Sequence, residues 1–255
     1  RVDRPDVEMV FLLDPPWFGL WPLRTVIERG KAIFSSAGHR ATLDELVSLN
    51  LEHRHPRPIV LTELFGRFAP EMLRLRELLA TELGPARRVW VQGLADLVTE
   101  PSGGELAIRE PWDAAIDLFD RCFSLVPAQP LEAKLMRKRD RQPLQSRVVQ
   151  LDFPEQVTAQ LRLLLLPMTG QIPIGPAKTP VKLVVATDRG RAQIDRNGQL
   201  RWSVGGRVVE EPTSGGSATD VMIDHVLRRV RGEQSLAPDL DELFRLERAS
   251  RVLGW

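Results

Sequence analysis

The chain has 255 residues, 43% of them apolar and 27% charged, which is enough for one large domain or two ordinary ones and excludes a disordered polymer. Lys and Arg number 35 against 34 Asp and Glu, and a net charge of +1 gives no general reason to expect nucleic acid or an anionic membrane as partner. The single cysteine, Cys122, excludes an intramolecular disulfide framework and fits a reducing, cytoplasmic setting, and the longest apolar run, Leu163 to Met168, is far short of a membrane span.

Val7 to Leu13 reads as a short buried strand, nearly all apolar and too short for a helix. It ends at Asp14-Pro15-Pro16. Pro22 to Arg29 then reads as a helix stopped by Gly30, and Lys31 to Phe34 as the next strand. Thr42-Leu43-Asp44-Glu45 is a capping box that opens a helix to about Leu51. Pro58 to Leu64 is a further strand. Strand, helix, strand, helix, strand with short connections predicts a parallel α/β layer, because parallel strands need crossovers.

After Arg67 the pattern changes. Ala69 to Leu83 reads as a helix with Pro70 early and Gly84 beyond its end. Arg88 to Val98 looks extended. Pro111 opens the clearest helical pattern, with Ala115, Leu118, Phe119, Cys122, Phe123 and Val126 on one face. Arg137-Lys138-Arg139-Asp140-Arg141 reads as a solvated stretch. Arg147 to Phe153 and Val157 to Leu166 are strands, and Thr169 to Pro180 is a loop. Val181 to Thr187, Arg191 to Asp195, Leu200 to Val204 and Arg207 to Glu211 form a meander. Its turns are Asp188-Arg189-Gly190, Asn197-Gly198 and Gly205-Gly206. Ser217 to Arg231 and Pro238 to Leu253 close the chain as helices. The predicted fold class is therefore α/β: part of a Rossmann-like parallel sheet over residues 1–66, then an α+β domain with a large, mainly antiparallel sheet over 67–255.

This two-part pattern resembles the glucose–fructose oxidoreductase and inositol dehydrogenase family (Gfo/Idh/MocA), along essentially the whole chain. Asp14-Pro15-Pro16 takes the place of that family's Thr-Pro-Asn-type loop, with Gly19 where a histidine is usual, and Gly30-Lys31 matches its Gly-Lys. Arg67-Phe68-Ala69-Pro70 resembles the Arg-Phe-x-Pro that opens the second domain, and Leu78 to Gly84 the helix and glycine that follow. Asp113-x-x-x-Asp117-x-x-Asp120 resembles the Asp-x-x-x-His-x-x-Asp helix. Leu227 through Leu243, with Arg231-Gly232 between, resembles the closing pair of helices.

The resemblance implies an NAD(P)-dependent oxidoreductase acting on a sugar, cyclitol or related polyol at a site between two domains. It also implies a homo-oligomer paired through the large sheet, for which Val157 to Leu166 and Val181 to Val185 offer apolar runs richer than one-sided burial requires. Three departures stand against a plain transfer of function. The Gly-x-Gly-x-x-Gly turn that lets a backbone approach pyrophosphate is absent. Family order makes Val7 to Leu13 the fourth strand, so the resemblance implies about 60–75 residues ahead of Arg1 with that turn. Ser36-Ala37-Gly38 stands where the family has Glu-Lys-Pro. The acid/base histidine position is Asp117.

Removing a hydroxyl proton during hydride transfer needs a tuned base, usually Lys or His. Ala37 cannot hold a proton. Asp117 can, although an ordinary aspartate titrates near pH 4 and is a weak base; a like charge such as Asp113, one helical turn away, works to raise such a value. Asp117 and Asp113 are thus the catalytic candidates, to be weighed with Asp120 against a solvated acidic face. Asp14, Pro15, Pro16, Trp17, Ser35, Ser36 and Glu63 are the cofactor-binding candidates. Each has a plainer reading: Asp14 as a helix cap, Trp17, Phe18 and Trp21 as core or interface, Ser35 and Ser36 as loop, Glu63 as the ion-pair partner of Arg67. His53-Arg54-His55 lacks metal-ligand spacing, and no metal is expected. The alternative for the whole chain is a non-catalytic protein of the same fold that binds a ligand or oligomerises.

Overall fold

The computed structural model describes residues 2–13, 21–35, 59–97, 111–139, 145–167, 181–212 and 216–253. The capping-box helix, His53 to His55 and the loop at 169–180 lie outside them. The chain divides into two compact units, Arg1–Phe68 with Ser217–Arg248, and Ala69–Gly216 with Ala249–Trp255.

The first unit holds three parallel strands in the order β1-β2-β3: β1 (Met9–Leu12), β2 (Ala32–Ser35) and β3 (Val60–Thr62). Helix α1 (Trp21–Glu28) is the crossover between β1 and β2, and Gly30 ends it at φ 65°, a left-handed angle that costs glycine nothing. Leu23, Val26 and Ile27 of α1 pack with Ile33 and Val60. A parallel sheet needs cover on both faces. The second cover arrives from far along the chain. Helix α4 (Ala218–Val230), N-capped by Ser217, sets Met222 and Val226 against Phe34, Leu61 and Phe68. Leu243 and Phe244 of α5 (Leu240–Ser250) join the first cluster. The unit is therefore closed by a return of the chain, which a boundary at 66/67 does not include.

Arg67 fastens that return. It lies in a 3-10 turn, Phe65–Phe68, and is only 4% exposed. Its guanidinium donates to the Leu236 carbonyl at 3.0 Å and to both Glu242 oxygens at 3.3 Å. Leu236 N–H in turn donates to Nδ1 of His225, whose ring lies 5.5 Å from Phe68.

The second unit is an eight-stranded sheet ordered β11-β10-β9-β8-β4-β7-β6-β5. The strands are β4 (Ala86–Leu97), β5 (Glu132–Arg139), β6 (Gln145–Asp152), β7 (Thr158–Pro167), β8 (Val181–Thr187), β9 (Gly190–Ile194), β10 (Leu200–Val204) and β11 (Arg207–Glu211). Among the described strands of this sheet only β4 and β7 pair in parallel. Helix α2 (Pro70–Leu78) continues as a π-turn to Leu83 and stops at Gly84, φ 78°. Helix α3 (Pro111–Leu125) lies on β4 and β7 with Leu118, Phe119 and Cys122 buried; burial pushes the Cys122 thiol up, as befits a packing residue.

The basic stretch at Arg137 is exposed, in keeping with the solvated reading, and it forms the end of β5, a strand absent from the sequence reading in which only Ala133 and Leu135 are partly covered. In β7 and β8, Ala159, Leu161, Leu163 and Leu165 are buried on the α3 side; on the other face Gln160, Arg162 and Lys182 are exposed while Leu164 and Val184 are buried.

Arg74 of α2 reaches across to β11. It meets Glu211 at 2.8 and 3.0 Å, and Trp202 Nε1 donates to the same carboxylate at 2.8 Å. These bonds, Arg74 first, hold the Glu211 carboxyl below its ordinary value against the opposing effect of burial.

Two predictions follow from these ties. Arg67→Ala leaves Glu242 and the Leu236 carbonyl without this donor, and removing one partner of a buried pair costs about 3 kcal/mol or more; urea unfolding measures it. For Glu211 the folded value is depressed, so its contribution is present above the unfolded value of about 4.3 and is lost as pH falls through the folded value. Glu211→Gln should therefore flatten the loss of stability on acidification below about pH 4.3, read by urea midpoints across pH.

Candidate functional site

In open parallel sheets ligands sit outside the carboxyl ends of the strands. Register aligns Leu12, Ser35 and Thr62 there on β1, β2 and β3. Ser35 is 1% exposed and Thr62 9%, so two hydroxyl groups are withdrawn from solvent at this end. Glu63 follows directly, half-buried, and its N–H donates to the Ser35 carbonyl at 3.0 Å. The structure thus brings together two of the expected residues, Ser35 and Glu63, through β2–β3 pairing. It adds Thr62, which the sequence reading passed over; the signal was its place as the last residue of an apolar strand. Asp14, Pro15, Pro16 and Trp17 directly follow this end of β1 in sequence, and Ser36 and Ala37 this end of β2, but all lie outside the described residues. Trp21 is 68% exposed, which removes it from any core.

The other candidates belong to the second unit. Asp117 on α3 is largely buried, and its carboxylate accepts from Arg121 Nε at 3.0 Å. The pairing is the i, i+4 spacing of a helix face. The sequence spelled it out in Asp117-x-x-x-Arg121, and a reading fixed on the acidic repeat missed the cation. Asp120 is fully buried, not beside the apolar stripe. A residue whose side chain lies outside the described set, Asp113, completes the repeat. Among the described residues no three His, Cys, Asp or Glu side chains gather as a metal site requires.

Helix α3 is seated on the sheet through Gly93 of β4. A Cβ built there would fall 2.7 Å from Leu118 Cδ2 and 3.2 Å from Cδ1.

No family model matches the sequence, and no curated protein matches it. Solved structures do match the fold. UDP-N-acetylglucosamine 3-dehydrogenase from Acidithiobacillus ferrooxidans is 16% identical with a TM-score of 0.73, over 98% of this chain and 81% of that one. Aldose-aldose oxidoreductase from Caulobacter crescentus, complexed with glycerol, is 16% identical with a TM-score of 0.73, over 99% and 78%. Biliverdin reductase from Synechocystis, in complex with biliverdin and NADP+, is 14% identical with a TM-score of 0.68, over 100% and 82%. The first two of these are Gfo/Idh/MocA-type oxidoreductases. The chain has their fold: a small parallel sheet and a large, mainly antiparallel eight-stranded sheet with helices.

Gly93→Ala should lower stability by about 1–3 kcal/mol, because a methyl overpacks a buried leucine. Adding Leu118→Ala makes room for that methyl, so the double variant should lose less than the sum of the two single losses, as a double-mutant cycle by urea unfolding would measure.

Proposed function

We propose that the protein is an NAD(P)-dependent oxidoreductase acting on a sugar, cyclitol or related polyol. The observation behind this reading is the buried Ser35 and Thr62 hydroxyls beside Glu63 at the carboxyl ends of the parallel strands, in a chain with this fold. Those groups fit the hydrogen-bonding needs of a nicotinamide ribose: hydroxyls that donate and accept, and a carboxylate that accepts from ribose hydroxyls. They do not fit a pyrophosphate, and the sequence contains no Gly-x-Gly-x-x-Gly turn to cradle one. When bound, the nicotinamide supplies the hydride acceptor or donor.

The protein's own part is to position substrate and to move a proton. Asp117 stands at the acid/base position and takes the substrate hydroxyl proton, with Asp113 one turn away. Arg121 holds the Asp117 carboxylate in one orientation. Asp14, Pro15, Pro16, Trp17, Ser35, Ser36 and Glu63 form the cofactor side in this reading.

A second reading has its own observation. Asp117 is engaged in an ion pair with 16% side-chain exposure, and position 37 is alanine where the family has lysine. Both favour a non-catalytic protein that keeps the fold for ligand binding.

Purified protein assayed with both nicotinamide cofactors against a panel of polyols separates the two readings. On the oxidoreductase reading Asp117→Asn lowers kcat by about 10²–10⁴-fold. Cofactor affinity stays unchanged. Turnover that survives Asp117→Asn removes Asp117 from the mechanism. No turnover in the unmodified protein across the panel selects the non-catalytic reading.

A further inference from the structure

The chain has two asparagines. Asn50 precedes Leu51, and Asn197 precedes Gly198. The difference is chemical. The main-chain nitrogen after an asparagine can attack that asparagine's side-chain carbonyl carbon and close a five-membered imide. A side chain on the following residue hinders the closure, and glycine has none.

Asn197 and Gly198 lie in the turn between β9 and β10. Asn197 is exposed, and Gly198 takes φ 84°. Asp195 organises this turn. Its Oδ1 accepts from Asn197 N–H at 2.8 Å and from Gln199 N–H at 2.9 Å. Its main-chain carbonyl accepts from Gly198 N–H at 3.1 Å. Three successive N–H groups are thus bound to one residue. The nitrogen able to attack Asn197 is the middle one, and both its neighbours are fixed by charge-assisted bonds.

We propose that Asn197 is a site of spontaneous covalent modification and that Asp195 sets its rate. The Gly198 nitrogen gives up its proton to solvent base and bonds to Cγ of Asn197, and the side-chain nitrogen leaves as ammonia. Water then opens the imide. Cleavage at Cγ restores the main chain with aspartate at 197. Cleavage at the main-chain carbonyl leaves isoaspartate, with the chain running through the side chain. One ammonia leaves, one water enters, and nothing is oxidised or reduced. While the turn is closed, the Gly198 N–H is held on the Asp195 carbonyl, so the reaction waits for the turn to open.

Both products work against the turn. Aspartate sets a second negative charge two residues from Asp195. Isoaspartate adds a methylene to the main chain of a turn whose span is set by the pairing of Ile194 with Leu200.

The test incubates the purified chain at mildly alkaline pH, folded and in urea, and follows both asparagines by peptide mass spectrometry, with enzymatic methylation to reveal isoaspartate. We expect conversion at Asn197 ahead of Asn50, and faster conversion in urea than in the folded protein. Asp195→Ala should speed the folded reaction by about tenfold, because bonds to a charged acceptor hold the turn shut. In urea the same variant should react at the rate of the unmodified chain. Asp195→Asn keeps an acceptor oxygen and should fall between. Asn197→Gln needs a larger ring and should abolish the reaction at this position. Circular dichroism checks that each variant is folded. Equal rates in the folded unmodified, Asp195→Ala and Asp195→Asn proteins overturn the proposal. So does folded Asp195→Ala protein that stays intact at Asn197 while the chain in urea converts, and so does conversion at Asn50 as fast as at Asn197. None of these outcomes depends on whether the chain is an oxidoreductase.

Discussion

Everything in the small-sheet unit depends on the way Arg67 is held. The three strands come from the first 62 residues, yet one of their two apolar faces is covered by a helix that begins at Ala218. Bringing those segments together costs loop-closure entropy, and the enclosed chain must be anchored where it returns. A buried guanidinium with a carbonyl and a carboxylate around it, both from residues near 240, is such an anchor. The desolvation penalty of the cation makes the arrangement specific: arginine without its partners here would be worse than an apolar residue. The contact then spreads. Leu236, which accepts from Arg67, donates to His225, and the His225 ring lies tilted against Phe68, beside Arg67 in the chain.

The chemistry at the strand ends follows from this closure. Ser35 and Thr62 are buried polar side chains at the last positions of β2 and β3. Hydroxyls are costly to bury in a sheet covered on both faces unless they find partners. Their position is the carboxyl end of the strands, where ligands of open parallel sheets sit. The fold and the candidate site are therefore linked by one constraint, a parallel sheet covered on both faces, in which ligands sit at the carboxyl ends of the strands.

Much of this was legible in the sequence. Short apolar runs bounded by proline and glycine located β1, β2 and β3 within a residue or two, and Gly30 marked the end of α1 by the left-handed angle it adopts. The meander was announced by Asn197-Gly198 and Gly205-Gly206, of which Gly198, Gly205 and Gly206 take positive φ angles. What failed to show shares a cause. β5 stands at the end of the described sheet, and its only alternation is Ala133 and Leu135 between charged residues, too short to read as a strand. The return of α4 to the first unit is a contact between distant segments, and local periodicity carries no information about which sheet an amphipathic helix will cover. Local spacing pointed Arg67 to Glu63, four residues away, but could not show Glu242, a carboxylate partner 175 residues away.

The same limit governs the reading of Asp117. In the sequence it belonged to an acidic series, Asp113, Asp117, Asp120, and a series of like charges suggests mutual repulsion. The structure breaks that series up. Asp120 is sealed into the packed side of α3, and Asp117 turns to Arg121 one turn further on. A carboxylate held against a guanidinium has its oxygens oriented, which is what a base needs for proton transfer, and it also has a resident counter-ion, which is what a purely structural residue needs. Both roles use the same 3.0 Å contact. They part only in what happens when the charge is removed with the shape kept. A structural carboxylate contributes through the bond to Arg121, so its loss appears in stability. A base contributes through the proton it accepts, so its loss appears in kcat and in the pH profile. The geometry of α3 supplies the orientation in either case; the titrating group alone decides between them.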